Sequence, residues 1–224
     1  DKSPQHLQMY LDGHMEVTPA LTFGKAFHTM ILEPNKLDSD IAVYEGKTRR
    51  GKAWDEFSFE NQDKTIISAS EWNVINAMSD EIINNPVALD FINTSEKEVV
   101  NIWTDEQTGI KCKGKADMVA ESENGKILID IKTTQDASIE AFRRSAWKYG
   151  YDRQAAYYMD GFDAVEFWFV VIEKSSPHRI GIYKASDKFI DEGRKKNIVL
   201  LDYYHQYFIA KEKKVNEFYF KGEL

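Results

Sequence analysis

Lys113-Gly114-Lys115-Ala116-Asp117-Met118 and, after a polar break, Ile127-Leu128-Ile129-Asp130-Ile131-Lys132 are the two stretches on which the fold turns. Between them stands Asn124-Gly125, a strong hairpin signal because a type I′ turn needs φ > 0 at both central residues. With those two residues as the loop, Glu123 pairs with Lys126, and counting back sets Asp117 opposite Lys132. Asp130 lies two residues before Lys132, so strand alternation puts it on the same face. The expected hairpin gathers Asp117, Asp130 and Lys132 on one side and Met118, Ile127, Ile129 and Ile131 on the other. Two acids able to hold a hard cation, beside an amine able to orient a water, suffice for metal-assisted phosphodiester hydrolysis. The plain competitor is a solvated cross-strand ion pair, worth under about 1 kcal/mol. Against it stand the apolar run around Asp130, where a lone carboxylate is costly, and the room that Gly114 leaves beside Asp117.

Outward from the hairpin, the period of the apolar residues assigns the remaining elements. On the amino-terminal side, Ser3-Pro4 starts a helix to Leu11, and Thr18-Pro19 caps a strongly apolar one that stops before Pro34. Ile41 to Tyr44 reads as a short strand, Lys52 to Phe59 and Ser70 to Asn84 as helices, and Val99 to Trp103 as a strand. On the carboxyl side, helix is expected from Ser138 to about Met159, broken at Gly150. Val165 to Ile172 is a strand buried on both faces and His178 to Lys184 an edge strand. Ser186 then caps a helix to about Lys213, with Phe189, Ile198, Leu201, Tyr204 and Phe208 inward. This order gives an α/β sandwich around a mixed central sheet, with extra amino-terminal helices. The 224 residues show no domain boundary and suit one domain spanning residues 1–224; opening on Asp1, they read as a fragment of a longer chain.

With 42% hydrophobic and 29% charged residues and no unbroken apolar run, the composition is globular and excludes a helical membrane span. The single cysteine, Cys112, excludes an intramolecular disulfide and fits a reducing cytoplasm. A net charge of −8 argues against indiscriminate nucleic-acid binding. Two local clusters run the other way: Lys47, Arg49, Arg50 and Lys52, and the stretch from Arg143 and Arg144 to Arg153. They are candidates for phosphate contacts in a confined groove, although solvated faces often carry such runs. His28 lies on the apolar second helix, where a core role competes with a ligand role. Gln154 and Tyr158 share one helix face, and Glu98, at the start of a strand, is a possible additional acid.

Gly24 with His28, Gly114 with Asp117, Asp130 with Lys132 and Gln154 with Tyr158 occur in the order found in RecB-type nucleases of the PD-(D/E)XK superfamily. More narrowly, the chain resembles the nuclease domain of RecE-type exonucleases (exonuclease VIII). Thr18-Pro19-Ala20 leading into Phe23-Gly24-Lys25-Ala26-Phe27-His28, Arg50-Gly51-Lys52-Ala53-Trp54, and Lys148-Tyr149-Gly150-Tyr151 carry that likeness, which covers roughly residues 3–185. It differs in one point, Asp130 standing where many superfamily members have Glu.

The resemblance implies a restriction-endonuclease-like core and a Mg²⁺-dependent exonuclease, with Mn²⁺ able to substitute, that digests duplex DNA from 5′ ends and leaves 3′ tails. It also implies His28, Asp117, Asp130 and the Ile131 carbonyl as metal ligands, and Lys132 as the group that orients the attacking water. Gln154 and Tyr158 would touch the DNA strand, and a homo-oligomeric ring and a single-strand annealing protein would be partners. An endonuclease on the same core, or an inactive DNA-binding fold, are the alternatives; the presence of both acids and Lys132 counts against the second.

Overall fold

In the computed structural model, which describes residues 3–14 and 17–221, Ser3 and Thr18 cap α1 (Pro4–Leu11) and α2 (Pro19–Leu32) through their side-chain oxygens. Proline in the first turn of each helix lacks only an N–H that would have had no intrahelical partner. A short turn at Pro34–Lys36 leads into α3 (Leu37–Asp40), β1 (Ile41–Tyr44), α4 (Lys52–Glu60) and β2 (Thr65–Ser68). Strands β1 and β2 pair in parallel as a small separate sheet. Ser68 and Glu71 form a capping box that starts α5 (Ala69–Asn84). Asn85 then caps α6 (Pro86–Thr94).

The main sheet comprises β3 (Glu96–Thr104), β4 (Lys111–Ser122), β5 (Gly125–Thr134), β6 (Ala164–Glu173) and β7 (Ile180–Lys184), in that spatial order. Only β5 and β6 are parallel, and the crossover between them contains α7 (Ile139–Tyr149) and α8 (Tyr151–Phe162), which meet at Gly150 in the left-handed region. The chain continues through α9 (Asp187–Tyr204). Among the described residues, no helix is long and apolar enough to cross a membrane.

Alternation along β5 and β6 divides the core into two layers. Ile129, Ile131, Val170 and Ile172 pack with Met118 against Phe27 of α2 and Ile75, Met78 and Ile82 of α5. Leu128, Phe167, Phe169 and Val171 pack on the other face against Phe142, Ala155, Ala156 and Ile190. Asp152 and Gly193 mark the crossing of α8 and α9, where a Cβ on Gly193 would lie 2.0 Å from the Asp152 carbonyl oxygen.

Several expectations need correction. The hairpin loop is Glu123-Asn124, not Asn124-Gly125: Gly125 already pairs with Ser122, and Glu121 with Lys126. The Ser122 hydroxyl explains the shift, donating to the Gly125 carbonyl at 2.7 Å and accepting from Asn124 N–H at 3.3 Å. Gly125 has φ of 128°, so this first strand residue needs glycine as much as a turn residue would. The register moves by two residues, and an even shift preserves which side chains share a face. Asp117 therefore does not stand opposite Lys132; the pairing ends at Met118 with Ile129. Helix α9 ends at Tyr204 in a wide turn over His205–Ile209 rather than running to Lys213, and Ile198, expected inward, is 50% exposed.

Candidate active site

The acid on β4 sits where regular alternation fails. Ala116 packs in the layer facing α8, whereas Met118, only two residues on, packs in the opposite layer. Opposite this break Glu98 adopts φ of 55°, and the β3–β4 register passes from Lys97 with Met118 to Val99 with Ala116. The Asp117 carboxylate uses the freed space to accept from Ile131 N–H at 2.9 Å. A side chain here takes the place of a main-chain acceptor at the end of the ladder.

His28 enters from α2. Its Nε2 donates to the Ile131 carbonyl at 2.9 Å, and its Nδ1 lies 3.5 Å from Asp117 Oδ2. Glu98 completes a group with His28 and Asp117 whose ligand atoms all lie within 4.8 Å of one another. Glu98 is ion-paired with Lys115. Two carboxylates, an imidazole and a nearby main-chain carbonyl form a donor set suited to a divalent cation. Asp130 stands apart from that group. It is buried, ion-paired with Lys132, and accepts from Gln154 Nε2 at 2.7 Å.

These contacts set the charge states. Burial pushes the Asp130 carboxyl up; the charge of Asp117 adds to this, and Lys132 opposes it. Burial works against the Lys132 ammonium, but Asp130 and Asp117 together outweigh it and hold the amine above its ordinary value. Lys132 also lies 4.8 Å over the Tyr151 ring, a cation–π contact. Lys132 is thus a cation held rigidly in a carboxylate setting.

A cleft of about 550 Å³ reaches this group at His28, Ile131 and Lys132 and is lined further by Gly24, Tyr149, Tyr151 and Lys174, whereas Asp117, Glu98 and Asp130 lie behind its lining. Tyr158 packs on β4 in the gap left by Gly114, where a Cβ would lie 3.0 Å from its ring. The expected basic residues are placed differently. Arg49 pairs with Glu71 at 2.8 Å and lies over Trp54, and Arg50 is exposed nearby. Arg143 lines a smaller pocket between α7 and β7, and Arg144 is exposed on α7. None of the four lines the cleft.

Sequence reasoning missed Tyr151 and Lys174 as cleft residues, since neither belongs to a spaced pair. The placement of Glu98 depends on a positive φ that a glutamate does not advertise. The bond from the Gln154 amide to Asp130 joins α8 to β5, a contact that the spacing of Gln154 and Tyr158 does not announce.

Comparison with known proteins agrees with this architecture. Residues 1–215 match the family model described as a PDDEXK-like domain of unknown function (DUF3799). A crystal structure of a protein described as "Putative exonuclease", from Eubacterium rectale, superposes with a TM-score of 0.57 at 14% identity, covering 96% of this chain and 81% of that one. A second structure, SSO0001, gives a TM-score of 0.33 at 21% identity over 58% of this chain and 68% of its own. No curated protein matches. The mixed sheet, the two acids that precede a lysine and the match over nearly the whole length lead to one conclusion: the chain belongs to the PDDEXK-like DUF3799 family, with the fold of the PD-(D/E)XK nuclease superfamily.

Proposed function

We propose that this chain is a divalent-cation-dependent nuclease that digests duplex DNA from its 5′ ends, leaving 3′ single-strand tails for recombination. The observation that carries the reading is that Asp117 and His28 both bind Ile131, and Asp130 binds Lys132, at a cleft that His28, Ile131 and Lys132 line. The likeness in fold to the Eubacterium rectale protein, itself described as a "Putative exonuclease", supports the same direction.

In this reading His28, Asp117 and the Ile131 carbonyl would hold Mg²⁺, or Mn²⁺ in its place, Glu98 would add a further carboxylate, and Asp130, held by Lys132 and Gln154, would complete the set from beside that group. When bound, such a cation polarises the phosphoryl oxygen and acidifies a water. Lys132 remains protonated, holds the attacking water by hydrogen bonding and offsets charge developing on the phosphate. Gln154 fixes the Asp130 carboxylate, and Tyr158 faces the strand near the scissile bond. Arg49, Arg50, Arg143 and Arg144 lie outside the cleft and meet DNA only along a longer footprint. A homo-oligomeric ring around the duplex, delivering tails to a single-strand annealing protein, completes the proposal.

Matched linear and covalently closed plasmid substrates test it. Release of acid-soluble nucleotides from the linear form with Mg²⁺, abolished by chelation and by Asp117→Asn or Asp130→Asn, is expected, with the closed circle spared. Discrete fragments from the closed circle identify an endonuclease instead. Full activity of either Asn variant overturns the site.

A further inference from the structure

The geometry points to a DNA-strand track on the bare face of the β3–β4 hairpin, built by Lys111 and Lys113 and ending at Lys115 beside the candidate cation site. This rests on the nuclease reading above and adds the route by which the substrate backbone approaches. From Lys111 to Ala116, strand β4 alternates strictly between exposed and buried residues. Cys112, Gly114 and Ala116 are buried, with Gly114 against Tyr158 and Ala116 in the layer beneath α8. Lys111, Lys113 and Lys115 occupy the opposite face, and all three are exposed. Their cross-strand partners are Thr104, Ile102 and Val100. Ile102 is 66% and Val100 52% exposed, so no described element covers this half of the face. The other half of β4 begins at Met118, which lies under α2 and α5.

Charge selects the occupant. In a chain of net charge −8, three lysines stand in one row with no acid interleaved. Among the described residues neither Lys111 nor Lys113 has an ion-pair partner, and only Lys115 is matched, by Glu98. In the turn at the hairpin tip, Asp105 is bound to Thr108 through N–H and hydroxyl, and Glu106 is exposed beyond the end of the lysine row. Alternate strand residues stand about 6.6–6.8 Å apart, a step commensurate with successive phosphates along one DNA strand. The row leads from the tip to Lys115, two residues before Asp117, so a backbone laid along it is delivered to the acids. Exposed Val100 and Ile102 supply an apolar floor beside the lysines.

The test is the double variant Lys111→Gln with Lys113→Gln, whose sites are solvent-exposed and bear no buried contact. Binding of a fluorescein-labelled duplex and of its single strand is followed by anisotropy, with Ca²⁺ replacing Mg²⁺, across a salt series. Loss of two phosphate contacts lowers the slope of log K against log salt by about 1.4 to 1.8 and weakens binding about tenfold at low salt. The melting temperature and hydrolysis of a p-nitrophenyl ester of thymidine monophosphate, too small to span the row, stay at wild-type values. An unchanged slope with intact DNA cleavage overturns the track and leaves the nuclease reading standing. A lowered slope in a protein that cleaves nothing with Mg²⁺ or Mn²⁺ overturns the nuclease reading and keeps the track.

Discussion

Lys132 is held by groups of opposite tendency. Its ammonium is largely buried, which disfavours the charge, yet Asp130 and Asp117 keep it protonated. A protonated amine cannot take a proton from water, so its contribution is electrostatic and orienting, on the order of 10² to 10⁴ in rate. Lys132→Ala is therefore expected to retain cation and DNA binding while losing turnover by that factor. Near-normal cleavage would leave Lys132 as an ion-pair partner only. The same substitution removes the charge that opposes the rise of the Asp130 carboxyl. A cation binds the ionised carboxylate, so the pH dependence of Mn²⁺ binding by calorimetry should move to higher pH in the variant. No movement would place Asp130 outside the ligand set.

Beyond single residues, the elements around the cleft are tied together at the ends of β5 and β6. Glu173 at the end of β6 accepts from Ala137 N–H at 2.8 Å and from Arg179 Nε and Nη2 at 3.0 and 2.7 Å. The turn after β5, which lines the cleft, is thereby clamped to the β6–β7 connection. Arg179, with Ala137 contributing, holds the Glu173 carboxyl below its ordinary value. A carboxyl depressed on folding contributes stability above the ordinary Glu range and loses it as pH falls through the lowered value. Glu173→Gln should cost about 1–3 kcal/mol at pH 7, with the difference shrinking below about pH 4.5. Urea denaturation at pH 7 and pH 3 checks this; an equal loss at both assigns the cost to packing.

Elements whose signals are local were legible in the sequence, and those that depend on distant partners were not. Thr18-Pro19, Ser186 and Gly150 mark their boundaries by capping chemistry alone. The apolar period ends α5 at Asn84 and leaves α6 unassigned, although Asn85-Pro86 carries the same cap-and-proline signal that starts α2. Strand β2 is four residues long and exists through parallel pairing with β1, which no local period announces. The register was legible only to within its parity, because the Ser122 hydroxyl, not the Asn-Gly pair, decides which residues turn. That parity was enough to bring the acids and the lysine together, but not to foresee the break at Asp117 that admits Glu98.

At the scale of the whole molecule, two hydrophobic layers hold the sheet without help from a ligand, so the protein should stay folded under chelation. A cation that binds only the folded state adds stability by mass action, about 2.7 kcal/mol at a hundredfold excess over Kd. For a chain of this length that corresponds to about 5–10 °C in Tm. Mn²⁺ or Mg²⁺ should produce such a rise in wild type and little in Asp117→Asn or His28→Ala. An equal rise in all three would place the cation elsewhere. The Asp117 carboxylate is at once a candidate ligand and the acceptor that ends the β4–β5 ladder through Ile131 N–H. Occupancy of the site is thus written onto one main-chain amide: the chemical shift and deuterium exchange of the Ile131 proton become a reporter of cation loading that needs neither substrate nor turnover.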